Sequence, residues 1–210
     1  MSYTMIKTAG GLSAHECVSA LQKHIRRGRE EEAMAVFFEM ARTGKSLFTW
    51  AVNRLRIIAH EDIGLASPQA VIFSSLALND AEKWYPRKLS WKLAVADVIL
   101  MLSRAAKSRE ADHFQSAVSL EAVYHNRVPT IPDEALDKHT MRGKRMGRGV
   151  EPFVNEGTQL VPPNPNDPYR ERAEEIWCLE EKTGVKIDGM SEAAKNAKAA
   201  KDGQMSMFDG

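Results

Sequence analysis

Residues 88–104 read KLSWKLAVADVILMLSR, and this stretch decides the fold class. Its apolar side chains are not confined to one face of the helix that their spacing predicts. A helix that is apolar nearly all round is buried on nearly all sides, as the central helix of a domain is. The apolar residues that define this predicted central helix are Trp91, Leu93, Val95, Val98, Ile99 and Leu102.

Amphipathic segments precede and follow the central helix, and their ends carry ordinary capping residues. Serines suited to an N-cap stand at Ser13, Ser46 and Ser67, each before a segment with helical spacing of apolar residues. Gly28 and Gly44 follow the predicted ends of the first two helices. Short alternating segments with hairpin signals are absent from the sequence. We therefore predict an all-α fold.

The character of the sequence changes at residue 128. The helical patterns before it predict one domain, residues 1–127. Residues 128–166 are rich in proline, glycine, asparagine and charge, which predicts an irregular, extended arm. Residues 167–184 regain helical spacing and predict one further helix. Within residues 185–210, the segment SEAAKNAKAAKDG (191–203) is Ala/Lys-rich and has no core-forming residue, which predicts a loose helix or a flexible tail.

The composition limits the classes of chemistry that the chain can support. Cys17 and Cys178 lie far apart without metal-binding spacing, so we expect no metal site and no cofactor. Lone cysteines fit a reducing compartment. The sequence has neither a signal-peptide pattern nor the roughly 20 apolar residues of a membrane span. We expect a cytoplasmic protein with no membrane partner. The net charge of +1 means that nucleic-acid binding would need a local basic patch.

One motif resembles part of a nucleotide-binding site. Residues 43–46, TGKS, look like the end of a phosphate-binding P-loop. That loop needs a glycine where Glu39 stands, and it needs a strand before it, whereas the preceding residues have a helical pattern. A glycine that ends one helix and a serine that caps the next explain Gly44 and Ser46. We therefore predict no nucleotide site here.

The acidic motif His60-Glu61-Asp62 invites an acid–base or metal interpretation. Consecutive residues of a helix point in different directions, so these three cannot converge on one ion. We expect Glu61 and Asp62 to bond the backbone of the following turn, or to pair with Arg54 or Arg56. Elsewhere no residue group has the local pattern of a catalytic nucleophile. The prediction is a protein that is not an enzyme, with no catalytic residues.

The segment 138–149, KHTMRGKRMGRG, is the strongest candidate for contact with nucleic acid. It contains no acidic residue, and its glycines let backbone amides approach phosphates closely. It has no aromatic residues for base stacking, so a preference for single strands is not indicated. The alternative is an exposed arm that is solvated or docked against acidic neighbours. The candidate DNA-binding residues are Lys138, Arg142, Lys144, Arg145 and Arg148.

The chain ends in residues 204–210, QMSMFDG, which have the form of a short linear motif. Apolar side chains at the end of a polar tail have nothing of their own to pack on, so a partner's groove is expected to take them. The spacing resembles the peptide with which bacterial polymerases and repair proteins bind the DNA sliding clamp. The resemblance assigns a hydrogen-bonded amide to Gln204 and pocket-filling roles to Met207 and Phe208, and in part to Met205.

Three separated segments in the helical region resemble the C-terminal region of the RarA/MgsA family of clamp-loader-related ATPases. The resemblance implies an all-α domain like the collar of clamp loaders, assembly into tetramers, and a place at replication forks. It is expected to cover the first 110 to 125 residues and to end near Pro129. The ATPase portion has no counterpart, so no catalysis is inherited. The segments are LQKHIRRGREEEAM (21–34), RLRIIAHEDIGLASPQA (54–70) and LAVADVILMLSRAAKS (93–108).

Three functional hypotheses follow. In the first, an accessory protein of DNA replication or recombination forms homo-oligomers through the helical domain and binds the sliding clamp through residues 204–208. It either recruits other proteins or inhibits replication, and a phage gene suits it as well as a chromosomal one. The second is a DNA-binding module that acts through residues 138–149. The third is a partner subunit that completes a mixed oligomer with a separate RarA-like ATPase.

Overall fold

A computed structural model describes residues 6–183 of the chain. These residues form helices and turns, without a β-strand beyond an isolated bridge between Lys7 and Ser13. The all-α prediction is confirmed. The chain divides into two compact units, residues 1–128 and 129–210. Within the described range, no helix is long and apolar enough to cross a membrane.

The first unit contains six α-helices. Between α3 and α4 the chain makes a π-helical turn, Ala59–Ile63, followed by a 3-10 turn, Gly64–Ala66. The helices are α1 (Ala14–Arg26), α2 (Glu30–Thr43), α3 (Lys45–Ile58), α4 (Pro68–Trp84), α5 (Trp91–Arg104) and α6 (Glu110–Tyr124).

The helices start and end close to the predicted positions, but the expected serine side chains do not form capping hydrogen bonds. Ser13 and Ser67 occupy N-cap positions, but neither side chain caps its helix with a hydrogen bond. The third helix begins at Lys45, with Gly44 in the cap position, so the expected cap at Ser46 is wrong. Gly28 follows α1 with a φ of +69°, a conformation that only glycine adopts without steric cost.

The core of the first unit lies where α5 packs against α1, α2, α3 and α4. Phe48 stacks on Tyr85 with ring centroids 3.8 Å apart, and its edge meets Trp91 at 5.4 Å. The Tyr85 hydroxyl donates to the carbonyl oxygen of Ala41 at 2.9 Å, which satisfies the polar end of this ring. Aromatic side chains from three segments of the chain therefore hold the helices together.

The central helix α5 is less enclosed than its sequence predicts. Val95, Val98 and Leu102 are fully buried. Leu93, however, is 69% exposed, and Met101 is exposed on the same side. The prediction of burial all round is therefore wrong for one face of α5, which belongs to the protein surface.

Between residues 129 and 183, the second unit is built from short helical turns and one longer helix. Residues 128–166, expected to form an extended arm, hold several of these turns around a small apolar centre. Isolated apolar residues supply that centre, which leaves no periodicity in the sequence to reveal it. Its buried residues are Leu136, Gly143, Val150 and Val154. The helices of the unit are α7 (Met141–Arg145), α8 (Val150–Pro152), which continues into a π-helical turn (Phe153–Gly157), and α9 (Arg170–Thr183).

Candidate functional site

The π-helical turn after α3 carries a carboxylate into the protein interior. Asp62 is 1% exposed and accepts hydrogen bonds from Arg26 Nε at 2.8 Å and from Gln22 Nε2 at 3.0 Å. Both donors lie on α1. A buried carboxylate is tolerated where charged and polar partners replace its hydration. Asp62 is therefore fully engaged in joining the turn to α1.

Glu61 extends this ion-pair network to the start of α6. Arg26 and Arg109 each approach Glu61 Oε1 at 3.3 Å. The expected pairing with Arg54 or Arg56 is wrong, because Arg56 binds Glu82 at 2.7 Å and Arg54 reaches Gln22 at 3.4 Å. The true partners are distant in sequence, so local spacing could not identify them.

The surroundings of this network favour a structural role over a chemical one. Lys107 donates to the carbonyl oxygens of Ser103 and Ala105 at 2.9 and 2.7 Å. Burial lowers the pKa of its ammonium group, and the charge of Asp62 opposes that shift. In the described part of the chain, no three His, Cys, Asp or Glu side chains are arranged to hold a metal ion. The network can tie three segments together, and its carboxylates are already occupied.

The exposed side of α4 and α5 forms an apolar surface, which we call the α4/α5 surface. Two adjoining grooves cross it, and Phe73 and Asp97 line both of them. Asp97 stands between Leu93 and Met101 on one stripe of α5. Among the described residues, no cation lies within ion-pair distance of Asp97. The exposed apolar residues of this surface are Ile72, Phe73, Leu76, Leu93 and Met101.

Helix α6 carries exposed apolar side chains around most of its circumference, and we call them together the α6 surface. None of its residues is buried, although the helix is 15 residues long. Phe114 is 69% exposed. Such a concentration of large apolar side chains on one helix is typical of a surface that another protein covers. The exposed apolar residues of the α6 surface are Phe114, Val118, Leu120, Val123 and Tyr124.

The basic segment 138–149 lies in the second unit and is partly neutralised there. Arg148 forms an ion pair with the Asp133 carboxylate and donates to the Asp133 carbonyl oxygen at 2.6 Å. Lys138 places its ammonium group 5.2 Å from the centre of the Phe153 ring. These two of the five predicted DNA-binding residues are therefore engaged within their own unit.

The other three predicted DNA-binding residues lie on or at the end of the short helix α7. Arg142, Lys144 and Arg145 are all exposed. Over residues 6–183, no carboxylate lies within ion-pair distance of any of them. The N-cap Thr140 holds the helix start, because its hydroxyl accepts a hydrogen bond from the Gly143 N–H at 3.0 Å. The segment thus offers three uncompensated positive charges.

Aromatic rings stand beside this basic segment, which sequence spacing did not reveal. The Phe153 ring meets His139 at 5.0 Å and Trp177 at 6.0 Å between ring centroids. Trp177 lies on α9, 28 residues beyond the end of the basic segment. The basic segment itself contains no Phe, Tyr or Trp, whereas the fold brings Phe153 against it and Trp177 against Phe153.

The predicted clamp-binding residues lie outside the described residues. They are Gln204, Met205, Met207 and Phe208. Their roles stay predictions.

Comparison with known proteins decides the family. The family model described as MgsA AAA+ ATPase C terminal matches residues 30–154, more than half of the chain. The chain belongs to the MgsA family. The match to the MgsA C-terminal region continues past Pro129, where the resemblance was expected to end, and it includes the whole of segment 138–149.

A curated relative gives this MgsA-family chain a biological context. The chain is 28% identical over 142 residues to the replication-associated recombination protein A of Bacillus subtilis (strain 168). The alignment covers 67% of this chain and 32% of the relative. The chain thus spans about a third of that protein's length. It is related to replication-associated recombination proteins, and the matched family model is that of the part C-terminal to the ATPase.

Proposed function

We propose that this chain is a non-enzymatic accessory protein of DNA replication and recombination that assembles through its helical domain. The α6 surface carries the proposal, because a helix with no buried residue and several exposed large apolar side chains gains stability when a partner covers it. Its partner in this proposal is another copy of the chain. The tetramers that the family resemblance implies support this choice.

Assembly is tested by placing a charge on the α6 surface. Phe114→Glu should lower the mass measured by light scattering to that of the monomer, because a charge cannot be buried unpaired in an interface. Ser46→Glu adds the same charge to the exposed first turn of α3 and should leave the oligomer intact. Ser46→Glu should keep the far-ultraviolet circular dichroism of the parent, and Phe114→Glu should lose no more helical signal than α6 contributes. A parent protein that is monomeric at all concentrations refutes assembly.

The second part of the proposal is that residues 204–208 bind the bacterial sliding clamp. Support comes from the sequence motif and from the family's link to replication-associated proteins. Several tails on one oligomer would bind with avidity. Calorimetry with the purified clamp should show binding that Phe208→Ala abolishes and that Ser206→Ala, at a variable motif position, retains. Equal binding by the parent and Phe208→Ala contradicts the motif's role.

A second candidate function is DNA binding through α7. The exposed charges of Arg142, Lys144 and Arg145 favour it. Binding that rests on phosphate contacts falls steeply as salt rises, because counterions are released. Replacing all three cations with glutamine should lower both the affinity and its salt dependence. Affinity that does not change with salt rules this candidate out.

A third candidate is a mixed oligomer with a RarA-like ATPase. The same α4/α5 and α6 surfaces would then meet those of the ATPase's C-terminal region, which the family relationship makes similar in fold. Co-expression of the two chains, with affinity capture of one, distinguishes this candidate. Joint elution that Phe114→Glu abolishes supports it, and separate elution of two intact proteins excludes it.

A further inference from the structure

The second unit contains a pocket that the basic segment does not itself form. The pocket encloses about 190 Å³, which is below the roughly 300–1,000 Å³ of sites for drug-sized ligands. It has room for a single small ring system. The turn before α9 and the first half of α9 supply most of its wall. The residues that the following argument uses are Asn164, Asp167, Tyr169, Arg170, Glu174 and Trp177.

The walls of this pocket combine aromatic rings with a free amide. Tyr169 is 70% exposed, and its ring lines the pocket together with that of Trp177. Asn164 Oδ1 accepts the backbone N–H of Asn166 at 3.2 Å, which leaves the Asn164 amino group free to donate. Aromatic faces suit a planar heterocycle, and an amide donor suits the carbonyl oxygen at the edge of such a ring.

The charges at the pocket exclude a phosphate as its occupant. Arg170 Nε binds Glu174 Oε1 at 2.7 Å, so its positive charge is neutralised. The Asp167 carboxylate accepts the Tyr169 N–H at 3.0 Å and adds a negative charge without a cationic partner among the described residues. A phosphate group would be repelled here, whereas an uncharged base would not.

A continuous series of ring contacts leads from the pocket to the basic segment. Trp177 lines the pocket and contacts Phe153, and Phe153 in turn contacts His139 and the Lys138 ammonium group. A strand of nucleic acid presents uncharged bases and charged phosphates along one path. The second unit offers a pocket for an uncharged base and, beside it, a basic segment for the charged phosphates.

We propose that the pocket lined by Tyr169 and Trp177 receives an unpaired nucleobase of single-stranded nucleic acid whose phosphates contact Arg142, Lys144 and Arg145. The proposal rests on the nucleic-acid candidate function and adds to it the form of the ligand. A base in a duplex is stacked and paired, so it cannot enter a side pocket without leaving the helix. Single strands should therefore bind more tightly than duplexes.

Fluorescence anisotropy of the full chain with labelled oligothymidylate tests the pocket. Tyr169→Ala should weaken binding by about tenfold, the size expected for loss of one base–aromatic contact. Tyr169→Phe should bind as the parent does, because the ring remains. Leu65→Ala removes an apolar side chain that is 72% exposed in the 3-10 turn of the first unit and should change nothing. Unchanged affinity of Tyr169→Ala overturns the proposal.

An abasic oligonucleotide of the same length separates the pocket from the charges. The parent should bind it about as weakly as Tyr169→Ala binds oligothymidylate, and Tyr169→Ala should cause no further loss on it. If Tyr169→Ala is neutral while the triple glutamine variant of α7 loses binding, the DNA-binding candidate stands without the pocket. If no oligonucleotide binds the parent, both fail. Labelled oligouridylate decides whether the strand is DNA or RNA, and preference for a duplex over both strands contradicts the inference.

Discussion

Asp62 and Arg26 form an ion pair at 2.8 Å across 36 residues of sequence. The carboxylate is almost completely buried, whereas the guanidinium group reaches the surface. The pair therefore joins α1 to the π-helical turn, on the side of the first unit where α6 begins.

Removal of the Asp62 carboxylate should destabilise the first unit strongly. Asp62→Ala leaves Arg26 and the Gln22 amide without their acceptor, and we expect a loss of about 3 kcal/mol in the free energy of unfolding. Urea denaturation measures this loss. Glu82→Ala breaks the more exposed pair with Arg56 and should cost less than about 1 kcal/mol. Equal losses in the two variants would contradict the special role of Asp62.

Loss of the Tyr85 hydroxyl should lower the free energy of unfolding slightly, and the size of this loss should depend on pH. Tyr85→Phe keeps the stacking on Phe48 but removes the bond to Ala41, which should cost about 1 kcal/mol at neutral pH. Burial raises the pKa of Tyr85 above its ordinary value of 10.0. An unfolded tyrosine then ionises first, so ionisation favours unfolding and stability falls as the pH rises above that value.

Chemical denaturation across the alkaline range tests this Tyr85 prediction. The parent should lose more stability than Tyr85→Phe between neutral pH and pH values above the ordinary tyrosine pKa. Parallel curves for the two proteins would show that the folded and unfolded states ionise alike at Tyr85.

The N-terminal turn should respond to acid through Glu39. The Thr8 hydroxyl, the Gly10 N–H and the Arg42 guanidinium hold the pKa of Glu39 below its ordinary value of 4.5. Gly10 N–H donates to Glu39 Oε1 at 2.6 Å. The stabilisation is therefore complete above pH 4.5 and is lost as the pH falls through the lower folded value.

Amide hydrogen exchange at Gly10, measured by NMR, reports on this contact with Glu39. Protection should fall in the acidic range in the parent, and Glu39→Gln should show low protection at every pH. Protection of Gly10 that persists in Glu39→Gln would show that other contacts hold the turn.

A methyl group at residue 143 should disrupt the basic segment. A Cβ atom built at Gly143 lies 1.9 Å from the Asp137 carbonyl oxygen, so the backbone must move. We expect Gly143→Ala to destabilise the second unit by about 2 kcal/mol, the usual cost of overpacking. Gly147 has a φ of +74° and open space around its Cα, so Gly147→Asn should be tolerated. Limited proteolysis that cleaves both variants alike would refute the difference.

The sequence predicts the helices of the first unit well because each carries a local signal. Apolar spacing and terminal glycines delimit α1 and α2, and these features act within a few residues. The partners of Glu61 were not predictable in this way, because Arg26 and Arg109 lie far from it along the chain. The exposure of Leu93 was not predicted for a related reason. Apolar residues in a core and apolar residues on an exposed surface recur at the same helical spacing.

The candidate sites show the same difference between local patterns, which the sequence reveals, and long-range contacts, which it does not. The charges of segment 138–149 are visible in the sequence, but the ion pair that neutralises Arg148 depends on Asp133 at a distance of 15 residues. The contact between Phe153 and Trp177 forms only because α9 folds back to place Trp177 beside the Phe153 ring. Spacing alone carries no information about such contacts.

Because α6 has no buried residue and contacts its own unit mainly at the π-helical and 3-10 turns, its order depends on protein concentration if copies of the chain associate through it. A helix of this length is marginally stable in water without tertiary contacts. If copies of the chain cover one another's α6 surfaces, each association event also orders a helix, and dilution releases it. Helical content, ordinarily a constant of a folded domain, would then vary with concentration and report the fraction of chains that have found a partner.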